Sequence, residues 1–264
     1  MSSTRLVACV CLLTAAWQFA GAQAVRGANR GDGVMPAAAE QLLALANRSR
    51  EQAGLGPLKW DESLAAAARA HTLRMAAEGP ISHRYGGEAG LSDRAATTGA
   101  HFDLIEENVA IGPDAATIHD EWMHSPGHRA NLLNGEVNRV GIAVVYARGV
   151  LYATEDFAHG VEKLGPAQVE ARVAELIRVS GVEVRANPAQ ARAACAVDRG
   201  LPTSQGGPQA TFVARWQDAD LSRLPDSLTE RLATGRYHMA AVGSCPAQNV
   251  EGSFTAYRVA VLLY

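Results

Sequence analysis

Three residues have the types and settings that support chemistry: His83 in Ser82-His83-Arg84, Glu107 in the polar centre Glu106-Glu107-Asn108 of an extended run, and His128 in Ser125-Pro126-Gly127-His128. Two imidazoles and one carboxylate can hold zinc and leave a coordination position for water, and the same trio could work as an acid–base pair. Ser125 followed by Pro126 reads as a helix N-cap and first turn, which puts His128 at the third helical position. There the helix dipole disfavours imidazolium and favours the neutral ring that a metal or a base needs. A plainer alternative is a buried hydrogen-bond network joining loop, strand and helix. Another makes Ser125 a nucleophile with His128 and Glu107, but an N-cap serine has its oxygen occupied by a backbone N–H.

The elements that must position these residues follow from periodicity and caps. Residues 37–52 carry Leu42, Leu43, Leu45 and Ala46 at helical spacing behind Pro36. Asp61 reads as the cap of a second helix, with Leu64, Ala68, His71 and Met75 on one stripe and Gly79 as its stop. A loop over 80–91 carries His83, a short helix follows over 93–99, and 102–111 is extended. Helices are predicted over 114–123 and from Ser125 through Leu132. Strands over 139–147 and 150–158 meet at Arg148-Gly149 as a hairpin.

Other polar residues along these elements read differently. His71 is a core histidine on its apolar stripe. His119 and His124, five apart, share no helix face and make no ligand pair, while His101 and His159 flank strands without a defined direction. Of Glu155 and Asp156, strand alternation sends one to solvent and the other towards the site. Trp122 is expected as a packing anchor, and Asn108 and Asn131 as residues that fix local backbone.

Together, the Ser-His-Arg loop, Glu106-Glu107-Asn108-Val109-Ala110, the run Trp122-Met123-His124-Ser125-Pro126-Gly127-His128-Arg129-Ala130-Asn131-Leu132-Leu133, and Val140-Gly141-Ile142-Ala143-Val144 resemble the CAP superfamily. That family groups cysteine-rich secretory proteins, antigen 5 and pathogenesis-related proteins, and the likeness is to its bacterial SCP-like extracellular branch. Leu58-Lys59-Trp60-Asp61 and the alanines after Leu64 fit the same branch. The resemblance covers roughly residues 37–158 and implies a CAP-type α-β-α sandwich with a central cleft. In the family that cleft places two histidines and two acidic residues able to hold a divalent metal such as zinc. His83, Glu107 and His128 match three of those positions. Ser125 stands where many eukaryotic members carry the second glutamate, and Glu106 where a glycine is usual.

The ends of the chain add compartment and organisation. Arg5, an apolar stretch over 6–17 and Ala22-Gln23-Ala24 read as a secretory signal peptide over 1–24, followed by a Gly-rich flexible spacer over 25–35. About a dozen apolar residues fall short of the ~20 that span a bilayer, so no transmembrane segment is expected in the mature form. Removing the signal takes Cys9 and Cys11 with it and leaves Cys195 and Cys245 as an even pair, expected to form a disulfide in an oxidising compartment.

The CAP domain is expected over 36–160. A smaller α+β domain over 163–264 has a helix over 166–180, a turn-rich region through Gly207, and strands near 211–216, 237–242 and 254–263. The fold class is therefore α+β. A formal charge of −3 excludes a nucleic-acid binder by electrostatics, and no nucleotide or organic cofactor motif is present.

The expected function is a secreted or periplasmic CAP protein whose His/Glu cleft binds a divalent metal or a small ligand, the family resemblance implying a lipid or other small apolar molecule. One alternative is a hydrolase using a metal-activated water or the histidines directly. A third reading gives partner binding to the C-terminal domain and makes the CAP domain a scaffold.

Overall fold

In the computed structural model, residues 33–200, 208–248 and 254–264 are described. The signal-peptide reading over 1–24 lies outside them. The chain runs β1 (Gly33–Val34), α1 (Pro36–Gln52), β2 (Lys59–Trp60), α2 (Glu62–Glu78), α3 (Leu91–Thr97), β3 (Phe102–Gly112), α4 (Ala115–His124), α5 (Pro126–Leu132), β4 (Arg139–Ala147) and β5 (Val150–Gly160). It continues with α6 (Pro166–Val179), β6 (Glu183–Val184), α7 (Ala189–Cys195), β7 (Phe212–Asp218), α8 (Asp226–Ala233), β8 (Met239–Cys245) and β9 (Tyr257–Leu263). The fold is α+β. Among the described residues no helix is long and apolar enough to cross a membrane.

The first sheet has the order β1-β4-β5-β3, with β2 parallel to one end of β4. Its long strands are antiparallel, and the β4–β5 hairpin turns through Arg148 and Gly149 at φ 52° and 85°. Positive φ at both central residues is the primed turn that suits the right-handed twist of the strands. The β4–β5–β3 core is covered on both sides. Val140, Ile142, Val144, Leu151, Ala153 and Phe157 pack under Leu42 and Ala46 of α1 and Ile118 and Trp122 of α4. On the other face Met75 of α2 packs against Val109, Val145 and Tyr152, and Leu64 and Ala67 against Phe102 and Ala158. The result is an α-β-α sandwich.

Two local features set the helices on this sheet. Asp61 caps α2 as its spacing predicts, one carboxylate oxygen accepting from the N–H groups of Ser63 at 2.9 Å and Leu64 at 3.1 Å. Next to that cap α2 passes directly over Gly141, where a Cβ would lie 2.0 Å from the Ala65 nitrogen. At the far end of α1, Arg50 is 2% exposed. It donates to the carbonyls of Gly56, Leu132, Asn134 and Val137 at 2.8–3.1 Å. This arginine, which hydrophobic periodicity does not single out, ties α1 to the connection between α5 and β4. Burial lowers its pKa, yet an arginine so placed keeps its charge.

The second sheet, order β6-β8-β9-β7, is drawn from residues 183–263. Helices α6 and α8 contribute Val169, Val173, Ile177, Leu228 and Leu232 against one face, and α7 packs on the other through Ala191, Ala194 and Cys195. Helix α7 comes so close to Gly243 that a Cβ there would lie 2.2 Å from the Arg192 nitrogen. Cys195 and Cys245 form the expected disulfide, spanning 50 positions. A loop of that size contributes roughly 2–4 kcal/mol by restricting the unfolded chain. Beyond the packing, Thr255 N–H donates to the Phe102 carbonyl at 2.7 Å and Phe254 meets Phe102 edge-on, so this unit touches the start of β3.

Three expectations need correction. Gly33 and Val34, assigned to the spacer, form a strand paired with Tyr146 and Val145, because the outer edge of β4 offers unpaired backbone groups there. The turn-rich stretch before Gly207 contains α7, whose Ala-Gln-Ala-Arg-Ala-Ala-Cys sequence is favourable for a helix. Residues 201–207 of that stretch lie outside the described residues. Helix α8 was not anticipated, although it buries Leu228 and Leu232 at helical spacing.

The contact between α2 and Gly141 gives a direct test. Gly141→Ala places a methyl against helix backbone that cannot yield as a side-chain tip would, so it should cost about 1–3 kcal/mol in urea unfolding. Gly149→Ala in the open hairpin turn is expected to cost less, through its positive φ alone.

Candidate functional site

Glu107 lies on β3, and its side chain is 3% exposed. A carboxylate this far from water must be paired or neutral. Its Oε1 accepts from His83 Nδ1 at 2.9 Å, and its Oε2 accepts a short charge-assisted bond from Arg94 Nη2. The same guanidinium donates through Nη1 to the His83 carbonyl at 3.2 Å and contacts that of Ala89 at 3.4 Å. Arg94 sits on the inner face of α3, 8% exposed. It was not among the residues singled out from sequence. The available signal was a charged residue between Leu91 and Ala95, at the spacing of a buried helical face.

A second histidine supports the same loop. His71 is fully buried, with Nδ1 2.8 Å from Glu88 Oε1 and Nε2 2.9 Å from the Ser82 carbonyl; Nε2 also lies 3.9 Å from Glu107 Oε2. Burial pushes the Glu88 carboxyl upward, but His71, the Tyr85 N–H and Arg94 outweigh it and leave its pKa below the ordinary value. His71 is thus a satisfied core histidine that anchors the loop of His83.

His128 occupies the third position of α5, as its spacing predicts. Its backbone is tied to β3. Asn108 Nδ2 donates to the His128 carbonyl at 3.1 Å, and Asn131 Nδ2 donates to the Glu107 carbonyl at 3.2 Å and to Asn108 Oδ1 at 3.0 Å. The two asparagines therefore fix backbone between strand and helix. Of the predicted trio, His83 and Glu107 are joined directly. His128 is near enough to feel the charge on His83, but no hydrogen bond or ion pair among the described residues links its ring to either.

The two exposed-edge imidazoles are pushed apart in affinity for protons. The Glu107 hydrogen bond, and then its charge, hold His83 above the usual imidazole value, against burial and Arg94. Burial, and then the charge on His83, push His128 below it. His83 pairing therefore contributes stability below the ordinary imidazole range, and that contribution is lost as pH rises through the raised His83 value.

The remaining candidates take other roles. Ser125 stands at the N-cap of α5, but its hydroxyl makes no capping bond, so the expected occupation of that oxygen is not found. Nor does it bond His128 or Glu107. His119 pairs with Ser49 Oγ at 2.9 Å, and His159 with Asp103 at 2.6 Å. His101 approaches Thr255 Oγ1 at 3.4 Å, and Trp122 is buried with its Nε1 donating to the Val109 carbonyl. Glu106 points to the opposite sheet face from Glu107 and accepts from Asn134 Nδ2.

Glu155 and Asp156 depart from the expectation that one would face solvent: both are fully buried, because β5 is a central strand with helices on both faces. Among the described residues neither carboxyl has a well-formed hydrogen bond, although Asn108 lies beside Glu155 and Glu107 beside Asp156. Burial raises both pKa values well above normal, aided at Asp156 by the charge of its cross-strand neighbour Glu107.

The implied divalent ion meets an unfavourable donor set. Both Glu107 oxygens are engaged, one of them by a permanent cation. Among the described residues, no group of three or more His, Cys, Asp or Glu side chains is placed to hold a metal. As arranged, the cleft does not fit the ion.

A concave feature lies on the opposite sheet edge from this cluster, between α1, α2 and β4. It is a groove of about 840 Å³ with Met35, Ala39, Leu43, Trp60 and Ile142 in its wall and Glu40, Glu62 and Arg69 among its polar lining. β2 pairs with β4 at 139–140 and β1 at 145–146, leaving the intervening edge without a partner strand.

Comparison with known proteins finds likenesses over part of the chain. The pattern of the CAP, or cysteine-rich secretory protein, family matches residues 43–157. The uncharacterized Bacillus subtilis protein YkwD is 30% identical over 107 residues, 40% of this chain and 42% of that protein. The B. subtilis membrane protein YlbC, also uncharacterized, is 32% identical over 106 residues, 40% of this chain and 31% of its own length. The chain thus spans well under half the length of these relatives. An extracellular SCP-domain protein of Bacillus anthracis aligns in structure with a TM-score of 0.43 and 29% identity, over 47% of this chain and 40% of that one.

The upward pKa shifts of the two buried acids predict a pH signature. An acid whose folded pKa is raised stabilises most below its unfolded value, and that stability is lost as pH rises towards the folded value. Glu155→Gln, which keeps the shape and needs no proton, should flatten the fall in unfolding free energy as pH rises above the ordinary glutamate range. Urea unfolding across that range measures it. By sequence pattern, residues 43–157 match the CAP family of cysteine-rich secretory proteins.

Proposed function

We propose that this is an exported protein whose CAP domain binds a small apolar molecule, of the size and character of an acyl chain, in the groove beside β4. The observation that carries the reading is the groove itself. At about 840 Å³ it has the volume of a small-molecule site, and it combines mainly apolar walls with a few polar groups, as such sites do. The open stretch of β4 edge between β1 and β2 adds backbone groups that can orient a polar head. Export is supported by the Cys195–Cys245 disulfide, which persists in oxidising compartments, together with the signal-like character of residues 1–24.

In this reading the His83–Glu107 cluster is a positioning network on the far edge of the sheet, and the ligand does not touch it. A second reading, acid–base chemistry at His83 and His128, is favoured by one observation: the two rings are displaced in opposite directions from the ordinary imidazole value.

The groove reading is tested with a fluorescent acyl probe and the full chain. Ala66 lines the groove and is exposed, so Ala66→Trp fills the groove without disturbing the core. Saturable probe binding that Ala66→Trp abolishes and His83→Ala leaves intact is the expected result. Absence of saturable binding, or binding indifferent to Ala66→Trp, contradicts it.

A further inference from the structure

The family resemblance places a divalent ion among His83, Glu107 and His128, whereas the arrangement of this chain puts an arginine against the same carboxylate. We propose that Arg94 is the resident cation of the cleft, neutralising Glu107 and fixing the His83 loop, so that the cleft works without a divalent metal.

A metal needs lone pairs converging on one point. Glu107 has committed Oε2 to Arg94 and Oε1 to the His83 N–H. An arginine carries only donors and is not deprotonated in proteins, so it can neither join a coordination sphere nor leave by losing its charge. A dication entering the cleft would have to displace this guanidinium from a carboxylate that is 3% exposed, and then sit beside it. The fourth family position cannot compensate, because it is Ser125, which is a hydroxyl and not a carboxylate.

Arg94 also does what a structural metal would do for the loop. Through Nη1 it holds the carbonyls of His83 and Ala89, while Arg84 Nε donates to the Glu88 carbonyl and His71 holds that of Ser82. The loop is therefore ordered by protein groups alone. Three carbonyls and one carboxylate of the same loop-and-strand region converge on two buried cationic or donor side chains, Arg94 and His71.

Zinc titration of the folded full chain by calorimetry tests the assignment, with the His83→Ala, His128→Ala double variant as reference and circular dichroism as the check on folding. Wild type and double variant should give indistinguishable zinc isotherms, and chelator should leave the wild-type Tm unchanged. Arg94→Gln frees Glu107 and should gain about tenfold or more in zinc affinity, a gain removed by adding His83→Ala. Stoichiometric zinc binding by the wild type that is lost in the double variant, or a chelator-induced fall in Tm, overturns the proposal. So does a folded Arg94→Gln that gains nothing. If Arg94→Gln does not fold, the wild-type isotherm and the chelator experiment decide it without that variant.

Discussion

A sheet covered by helices on both faces cannot carry a charge that has no partner, and the polar chemistry of this domain follows from that constraint. β3 and β5 present three acidic residues, Glu107, Glu155 and Asp156, to a dry interior, and the fold deals with them in two ways. Glu107 is met by Arg94 and His83, whereas Glu155 and Asp156 have no cationic partner and burial raises their pKa values well above normal. The paired residue lies on the edge strand, where a loop can reach it. The unpaired acids lie on the central strand, where none can.

Buried arginines do much of the positioning around this sheet. Arg50 gathers the Gly56 carbonyl together with three from the end of α5 and its connection to β4, and thereby fixes where that connection runs. Arg94 does the same for the loop of His83. Asn108 and Asn131 complete the frame by tying α5 to β3. His83 and His128 thus reach the cleft mouth from two elements that are each fixed by polar contacts to carbonyls. Hydrogen bonds of this kind to a charged donor contribute about 1.5–3 kcal/mol each, and leaving the acceptors unpaired costs a comparable amount.

Much of the frame was legible in the residues. Asp61 and Gly79 bound α2, Arg148-Gly149 closed the hairpin, and Ser125-Pro126 opened α5, because each of these depends on local backbone geometry. The CAP motifs gave the sandwich and the cysteine pair gave the disulfide. What was not legible was non-local. Arg94 looks like any helical arginine until β3 is laid beside it, and Glu155 looks half-exposed until β5 proves to be a central strand. Gly141 gives no hint in sequence of the helix lying 2.0 Å from its absent Cβ. The edge position of β1 likewise depends on a vacancy in β4 that only the assembled sheet creates.

The groove and the polar cluster occupy opposite edges of one sheet and have opposite characters, the groove beside β4 mainly apolar and the cluster beside β3 built on a carboxylate paired with an arginine. They share no wall residue, so either can change without the other. The account rests on the identity of the cation at Glu107. The most direct measurement is a crystal structure of the full chain grown in zinc, with anomalous data collected at the zinc edge. The account predicts Arg94 Nη2 on Glu107 Oε2 and no anomalous peak between His83 and His128. A zinc peak bonded to Glu107 and both imidazoles, with Arg94 turned away, would contradict it.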